Sequence, residues 1–495
     1  MPESEANAGA QRRTPTLFAV LTALLALAIL AQLVVTFRTG DLISGVGGVW
    51  CALAQDLNAG TLYREVVGPD GYGGTRYMPV QIVVLALLER VTGDYRVAGH
   101  LATWLAMAGL LAATWLWLRR SGVRPTAVVA VWAVTLATNS GLMVFGGIRG
   151  DLLPLACSVL GLALLPDPGE EPRGRRLWLM AGAFALAVLA KFTCVHGLVA
   201  ACLCLVLRRQ VRGAVWLAGA TLLGIAAGIC VALWASDGRM IASFAACLGP
   251  EVATGGLARA PLHFLEALRT ADPWTLPILA TTLAALLFDP RAAAAHPAGL
   301  AVVVALLGTI ALFGDPGVDV NHLLDPNLYG LCVLAALCAA RPGGGRLLVA
   351  TLTALAILGL GMLLLEPQRG LLRTGDGSLN QHRQRILAEH LGDPGRGPLL
   401  AEEPLLPILA GERARVLDPY MVRHMDLRDP QAMRPLWQEL AEGRFRRVIL
   451  LRDPESDAGR AWYAKGFFGP RFVDHLLRGY RHTATVGPYR VYAPR

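Results

Sequence analysis

The chain has 495 residues, is 54% hydrophobic and only 16% charged, and has a mean hydropathy of +0.49. One globular core cannot bury that much apolar side chain, so lipid must be the solvent for most of it. A net charge of +9 would suggest nucleic acid in a soluble protein, but here the arginines sit in short segments between apolar runs, which is the positive-inside pattern and argues for no nucleic-acid partner.

In chain order, residues 1–14 read as a cytoplasmic N-terminus. Arg12 and Arg13 precede an apolar run from Pro15 to Phe37 that is too long for a signal-peptide h-region and reads as a retained anchor. Further apolar runs lie at 98–118, 125–144, 152–165, 177–190, 192–207, 213–234, 273–289, 297–314, 326–340 and 347–365. Together they predict an α-helical polytopic membrane protein of about 11 transmembrane helices. The stretch Met78 to Val91 is ambiguous. Reading it as a juxtamembrane helix on the outer surface keeps Arg119, Arg120, Arg124, Arg173, Arg175, Arg176, Arg208, Arg209, Arg212, Arg341 and Arg346 in the cytoplasm, and that reading is adopted. The transmembrane bundle then occupies 15–365, with a first outer loop at 38–97.

Residues 366–495 alternate helical segments (Gln381 to Leu391, Pro430 to Glu442) with short apolar strands (Pro398 to Glu402, Arg446 to Leu451, Tyr489 to Tyr492), the pattern of a small soluble α/β domain. The adopted topology makes it extracytoplasmic. Nine cysteines, among them Cys157, Cys194, Cys202, Cys204, Cys230, Cys332 and Cys338, lie mostly in apolar stretches and read as small core residues. No ligand cluster has diagnostic spacing, so a divalent cation gains no support and the cofactor stays unassigned. No fixed-period repeat and no P-loop is present, which argues against an ATP-driven pump. The Ala, Leu, Gly and Arg bias is that of a GC-rich bacterial genome.

The topology brings every chemically suggestive cluster to the outer face. In the first outer loop, Trp50, Ala52, Leu53, Leu57 and Leu62 form an apolar face, either of an interfacial helix or of a lid packed on the bundle. In GYGGTRYMP the glycines permit close backbone approach, while Arg76 and Tyr77 could meet a phosphate and a ring; the same stretch also reads as a turn opening a helix at Pro79. Arg149 is a candidate anion ligand beside Asp151, which local rules assign to helix capping. Lys191 is a cation in apolar sequence, a position that usually faces a cavity or a partner. Asp319, Asn321, His322 and Asp325 crowd the mouth between two spans, with His322 and Asp325 spaced to share a helical face and Asp325 also placed to cap the next span.

These parts resemble the GT-C superfamily of membrane glycosyltransferases, especially bacterial members related to protein mannosyltransferases and to the aminoarabinose and Rgt-type lipopolysaccharide transferases. The resemblance rests on ALAQDLNAGTLYRE (52–65), RGD (149–151), AKFT (190–193), GVDVNHLLD (317–325) and an outer C-terminal domain, and runs over nearly the whole chain. It implies a sugar transferred from a polyprenyl-phosphate donor to an acceptor hydroxyl of a glycolipid, glycan or protein, on the extracytoplasmic face of the bacterial inner membrane. It also implies an acidic base in the first loop. Counting back from the pattern ending at Gly60, that acid falls near Val46 or Gly47, and neither moves a proton. Asp41 and Asp56 are the nearest substitutes, with Asp41 favoured as base because Asp56 is expected to face water.

On this resemblance Asp151 is the second acid, Arg76, Arg149 and Lys191 offset donor phosphate charge, and Tyr77, Asp319, Asn321, His322 and Asp325 bind substrate. The rival classes are a transporter or flippase of a lipid-linked or small anionic substrate, which would show two pseudo-symmetric halves and helices interrupted near mid-bilayer, and a noncatalytic membrane scaffold.

Overall fold

The computed structural model describes residues 3–40, 45–248, 256–315, 317–341, 344–365 and 378–495. Its N-terminal part is helical. In chain order the helices are α1 (Glu3–Thr39), α2 (Gly45–Asn58), α3 (Pro79–Thr92), α4 (Tyr95–Arg120), α5 (Pro125–Ala137), α6 (Asn139–Gly146), α7 (Leu152–Ala163), α8 (Gly174–Ala190), α9 (His196–Leu207), α10 (Val211–Ala235), α11 (Arg239–Cys247), α12 (Leu257–Thr270), α13 (Thr275–Phe288), α14 (Pro290–Ala295), α15 (Pro297–Leu312), α16 (Leu324–Ala339) and α17 (Gly344–Leu365). A short 3-10 turn, Val320–Leu323, leads into α16.

Among the described residues, five helices are long and apolar enough to cross a bilayer, or up to seven if each of two bent pairs counts as one span; three shorter apolar helices accompany them. Each expected apolar run falls on a helix, but the run 125–144 is not one straight span. It bends by 84° between α5 and α6. Thr138 caps α6 through its hydroxyl, and the buried Asp272 carboxylate accepts from the amides of Asn139 and Ser140, so donors freed at the break are satisfied. Large apolar side chains stay exposed on α10 and α13, with Trp234, Leu287 and Phe288 at least 80% accessible. Lipid is the environment in which such faces are stable.

Helix α2 is not laid in the interface. Its residues Val49 to Ala54 are buried, packed with α3 and with Leu405 and Ile408 of the C-terminal part. Of the two readings of the first loop, the packed lid is therefore the observed one. Helix α3 has 14 residues, about 21 Å of rise, and is too short to cross alone.

Residues 378–495 form a four-stranded mixed sheet flanked by helices. Two residue pairs in the first loop form β1 (Val67–Gly68) and β2 (Gly71–Tyr72); the sheet strands are β3 (Leu399–Ala401), β4 (Arg447–Leu450), β5 (Tyr480–Val486) and β6 (Tyr489–Pro494), in the order β3-β4-β6-β5. β3 and β4 pair in parallel, with Leu400 opposite Val448, while β6 runs antiparallel to both neighbours. The expected strands fall on β3, β4 and β6, and the expected helices on α18 (Leu379–Glu389) and on a helix at Arg434–Ala441.

This sheet unit is knitted to the first loop. Leu417 donates its amide to the Tyr72 carbonyl at 2.9 Å and Tyr72 donates to the Arg415 carbonyl at 2.8 Å. Gly71, at φ 114°, approaches Arg415 so closely that a Cβ there would lie 2.1 Å from the Arg415 carbonyl oxygen. Close approach is thus the purpose of the GYGG stretch, but toward the C-terminal unit. Asp56, expected to face water, is fully buried. It accepts from Arg64 at 2.6 and 2.7 Å and from Arg413 at 2.9 Å, joining the two parts a second time. The sequence could not show this, because Arg413 lies 357 residues away.

Candidate functional site

Asp151 follows α6 and precedes α7, and its side chain does not cap α7. The carboxylate accepts instead from Lys191 Nζ at 2.5 Å and Asn321 Nδ2 at 2.7 Å. These partners come from the end of α8 and from the 3-10 turn before α16, so three distant segments meet on one oxygen. Gly150, beside it, packs so tightly that a Cβ would lie 2.3 Å from the Trp50 ring of α2. The bend after α5 turns the chain so that Arg149 and Asp151 are delivered at this end of the bundle.

Arg149 is buried and lies 3.6 Å from Asp319, whose side chain is half exposed. Its ion pair is longer than those of Lys191 with Asp151 and of Arg76 with Asp315, the latter at 2.6 Å. Burial works to raise the Asp315 carboxyl, but the Arg76 guanidinium and the Gly317 amide outweigh it and hold the group below its ordinary value. Tyr77 stacks on Trp50 with centroids 4.3 Å apart, so one face of its ring is already taken. It lies within electrostatic reach of Arg149, Asp151 and Arg76, while His322 feels Lys191, Asp151, Arg149 and Asp315. Arg76, Tyr77, Arg149, Asp151, Lys191, Asp319, Asn321 and His322 therefore form one cluster.

Asp41 lies outside the described residues. Asp325 lies in the first turn of α16 but does not cap it, and its carboxylate sits 3.2 Å from His196 Nε2. The C-terminal unit covers the cluster's rim. Its helix α20, numbered after a short helix α19 (Leu405–Leu409), spans Pro419–Arg428, and Gly317 abuts the Tyr420 ring. Asp418 caps α20, lies in the field of Arg76 and Tyr77, and was not singled out from the sequence; an Asp before Pro at a helix start was the available signal. A separate cavity of about 420 Å³ lies between Arg452, Ser456, Trp462 and Arg490 and is lined by none of the cluster residues.

The bundle, with its apolar helices and bent helix pairs, and this cluster beside a C-terminal sheet unit give the fold of a polytopic helical membrane protein. No family profile matches the chain, and no curated protein matches it at a significant level. Among solved structures it is similar to ArnT from Cupriavidus metallidurans, in the apo state at 14% identity and bound to undecaprenyl phosphate at 13%, each with a TM-score of 0.53 over 95% of this chain and 98% of that one. It is also similar to the arabinofuranosyltransferase AftD from Mycobacteria (18% identity, TM-score 0.51, 95% of this chain and 40% of that one) and to an oligosaccharyltransferase from Archaeoglobus fulgidus (12%, 0.50, 95% and 73%). At these identities the likeness is one of fold, and it is the fold that the sequence motifs imply.

Proposed function

We propose that the chain is a glycosyltransferase of the bacterial inner membrane that moves a sugar from a polyprenyl-phosphate donor to an acceptor hydroxyl on the outer face. The observation that carries this reading is the convergence of Arg149, Asp151, Lys191, Asn321 and His322, from three separated segments, at the end of the bundle covered by the C-terminal unit. The ArnT structure with undecaprenyl phosphate, on the same fold, supports the class of donor.

Within this reading, Arg149 has the loosest ion pair and is the cation best placed to take up charge on the departing phosphate, with Lys191 and Arg76 assisting. Asp151 fixes Lys191 and Asn321 and orients the acceptor. Asn321, His322, Asp319 and Tyr77 hold sugar or carrier, and Asp41 is the proposed base that deprotonates the acceptor. In this reading the arginines at the opposite end of α7 mark the cytoplasmic side, and the site and the C-terminal sheet unit face outward.

The test is transfer from a polyprenyl-phosphate sugar in reconstituted membranes. Asp151→Asn and Lys191→Ala each lower it by at least about a hundredfold while the protein inserts normally. Full transfer by both variants refutes the assigned roles.

A further inference from the structure

One group of ligating side chains lies beside the cluster and has no part in the proposed chemistry. Cys194 sits in the turn after α8, His196 opens α9, and Asp325 lies in the first turn of α16. Their nearest ligand atoms all lie within 4.8 Å of one another. The Cys194 sulfur is 3.7 Å and the Asp325 Oδ2 3.2 Å from the same atom, His196 Nε2.

That convergence on one nitrogen is informative. A Cys-His-Asp relay needs the thiol on one ring nitrogen and the carboxylate on the other, so that a proton can be taken up on one side while the other is held. Here both face Nε2, which has a single proton or lone pair to offer. A cation placed between the three atoms could be bound by all of them, with the third pair, the Cys194 sulfur and the Asp325 carboxylate, no more than 4.8 Å apart and needing about 3.6 Å. Bonds of about 2.3 Å to sulfur and about 2.0–2.1 Å to nitrogen and oxygen at tetrahedral angles require S···N near 3.6 Å and N···O near 3.4 Å. The observed separations lie within about 0.2 Å of both.

We propose that Cys194, His196 and Asp325 form a metal site selective for zinc or a similar borderline-soft divalent cation. Thiolate and imidazole favour such an ion over Mg²⁺ or Ca²⁺, which seek oxygen ligands. A thiolate and a carboxylate carry together the two negative charges that a divalent cation neutralises, which removes the cost of burying them in apolar surroundings. Binding releases the thiol proton to solvent, so affinity rises with pH. Three protein ligands leave one tetrahedral position for water or a substrate atom. The site ties the starts of α9 and α16 to the turn carrying Lys191, and so fixes the elements that present Lys191 and Asn321 to Asp151. It holds whether or not the chain transfers sugar.

The full-length protein, purified in detergent and loaded with Zn²⁺, will retain about one zinc per chain after gel filtration, and its Co²⁺ form will show a thiolate-to-cobalt charge-transfer absorption. Cys194→Ser and Asp325→Asn will each weaken zinc binding by at least about tenfold, and Cys194→Ser will abolish the charge-transfer absorption, while Cys157→Ser keeps both. In the unaltered protein, bound zinc will protect Cys194 from alkylation, read by peptide mass spectrometry, so the result does not depend on a variant that fails to fold. Wild-type protein that retains no zinc, a Cys194 alkylated equally with and without it, or zinc lost on Asp151→Asn but kept on Cys194→Ser would each overturn the assignment.

Discussion

The two ends of α7 use charged residues in opposite ways. At its C-terminal end three arginines serve the backbone: Arg120 donates to the Ala163 carbonyl at 2.6 Å, Arg176 to Leu164 and Leu165 at 2.6 Å each, and Arg208 to Pro166 at 2.8 Å. They satisfy the carbonyls a helix end leaves open and offset its negative dipole. At the N-terminal end the residue placed to cap the helix makes no cap, and its carboxylate serves Lys191 and Asn321. One end thus uses charge to finish a helix, whereas the other leaves the helix unfinished and directs charge at side chains.

The largest effect expected concerns what holds the second end together. Asp56→Ala leaves Arg64, about 1% exposed, and Arg413 without their shared carboxylate, and removing one member of a buried pair costs about 3–5 kcal/mol. Hydrogen exchange will then rise around residues 64–77 and 413–417 while the carbonyl ladder near 160–166 stays protected. Uniform loosening at both ends would show that the ends are not energetically separate. A smaller effect contrasts the arginines directly. Arg149→Ala will lower sugar transfer by about a hundredfold, or about 2.7 kcal/mol, whereas Arg120→Ala will leave the rate per folded molecule within about twofold. Equal losses in both would erase the functional difference between the ends.

The arginine end was legible in the sequence because its logic is local. Apolar runs of roughly constant length and arginines between them report helices and their ends, so the expected runs fall on α1, α4, α5 with α6, α7 to α10, α13 and α15 to α17. The site end was legible only as an inventory. Asp151, Lys191 and Asn321 were singled out, but their meeting depends on the bend at Thr138 and on a turn 170 residues along the chain. Local rules failed where a distant partner outbid the nearest amide, Asp151 by Lys191 and Asp325 by His196, or took a carboxylate from water, as Arg413 does with Asp56. Strand β5 escaped notice for another reason. In YRHTATV only Tyr480 and Val486 are buried, so the strand lacks the alternation that marks a half-buried ribbon and is held by its hairpin to β6.

The smallest effect expected tests how the C-terminal unit is seated on the site end. Asp418 is 5% exposed and accepts from the Tyr420 and Met421 amides at 3.1 and 3.4 Å. Burial pushes its carboxyl up to about 6 from an ordinary 3.8, and those amides together with Arg76 offset only part of the shift. Because the folded value lies above the unfolded one, the native state binds the proton more tightly between the two values, and stability falls as pH rises through that window. Above about pH 6 the folded protein carries the whole cost of a buried carboxylate, about 3 kcal/mol; below about pH 4 it carries none. Asp418→Asn keeps an oxygen for the cap and removes the charge. The variant will therefore unfold at a higher temperature than wild type near pH 8, with the gap closing toward pH 4. A gap that stays constant across this range would mean that Asp418 keeps its charge at no cost, and that Arg76 reaches across from the bundle to neutralise it as fully as Lys191 neutralises Asp151.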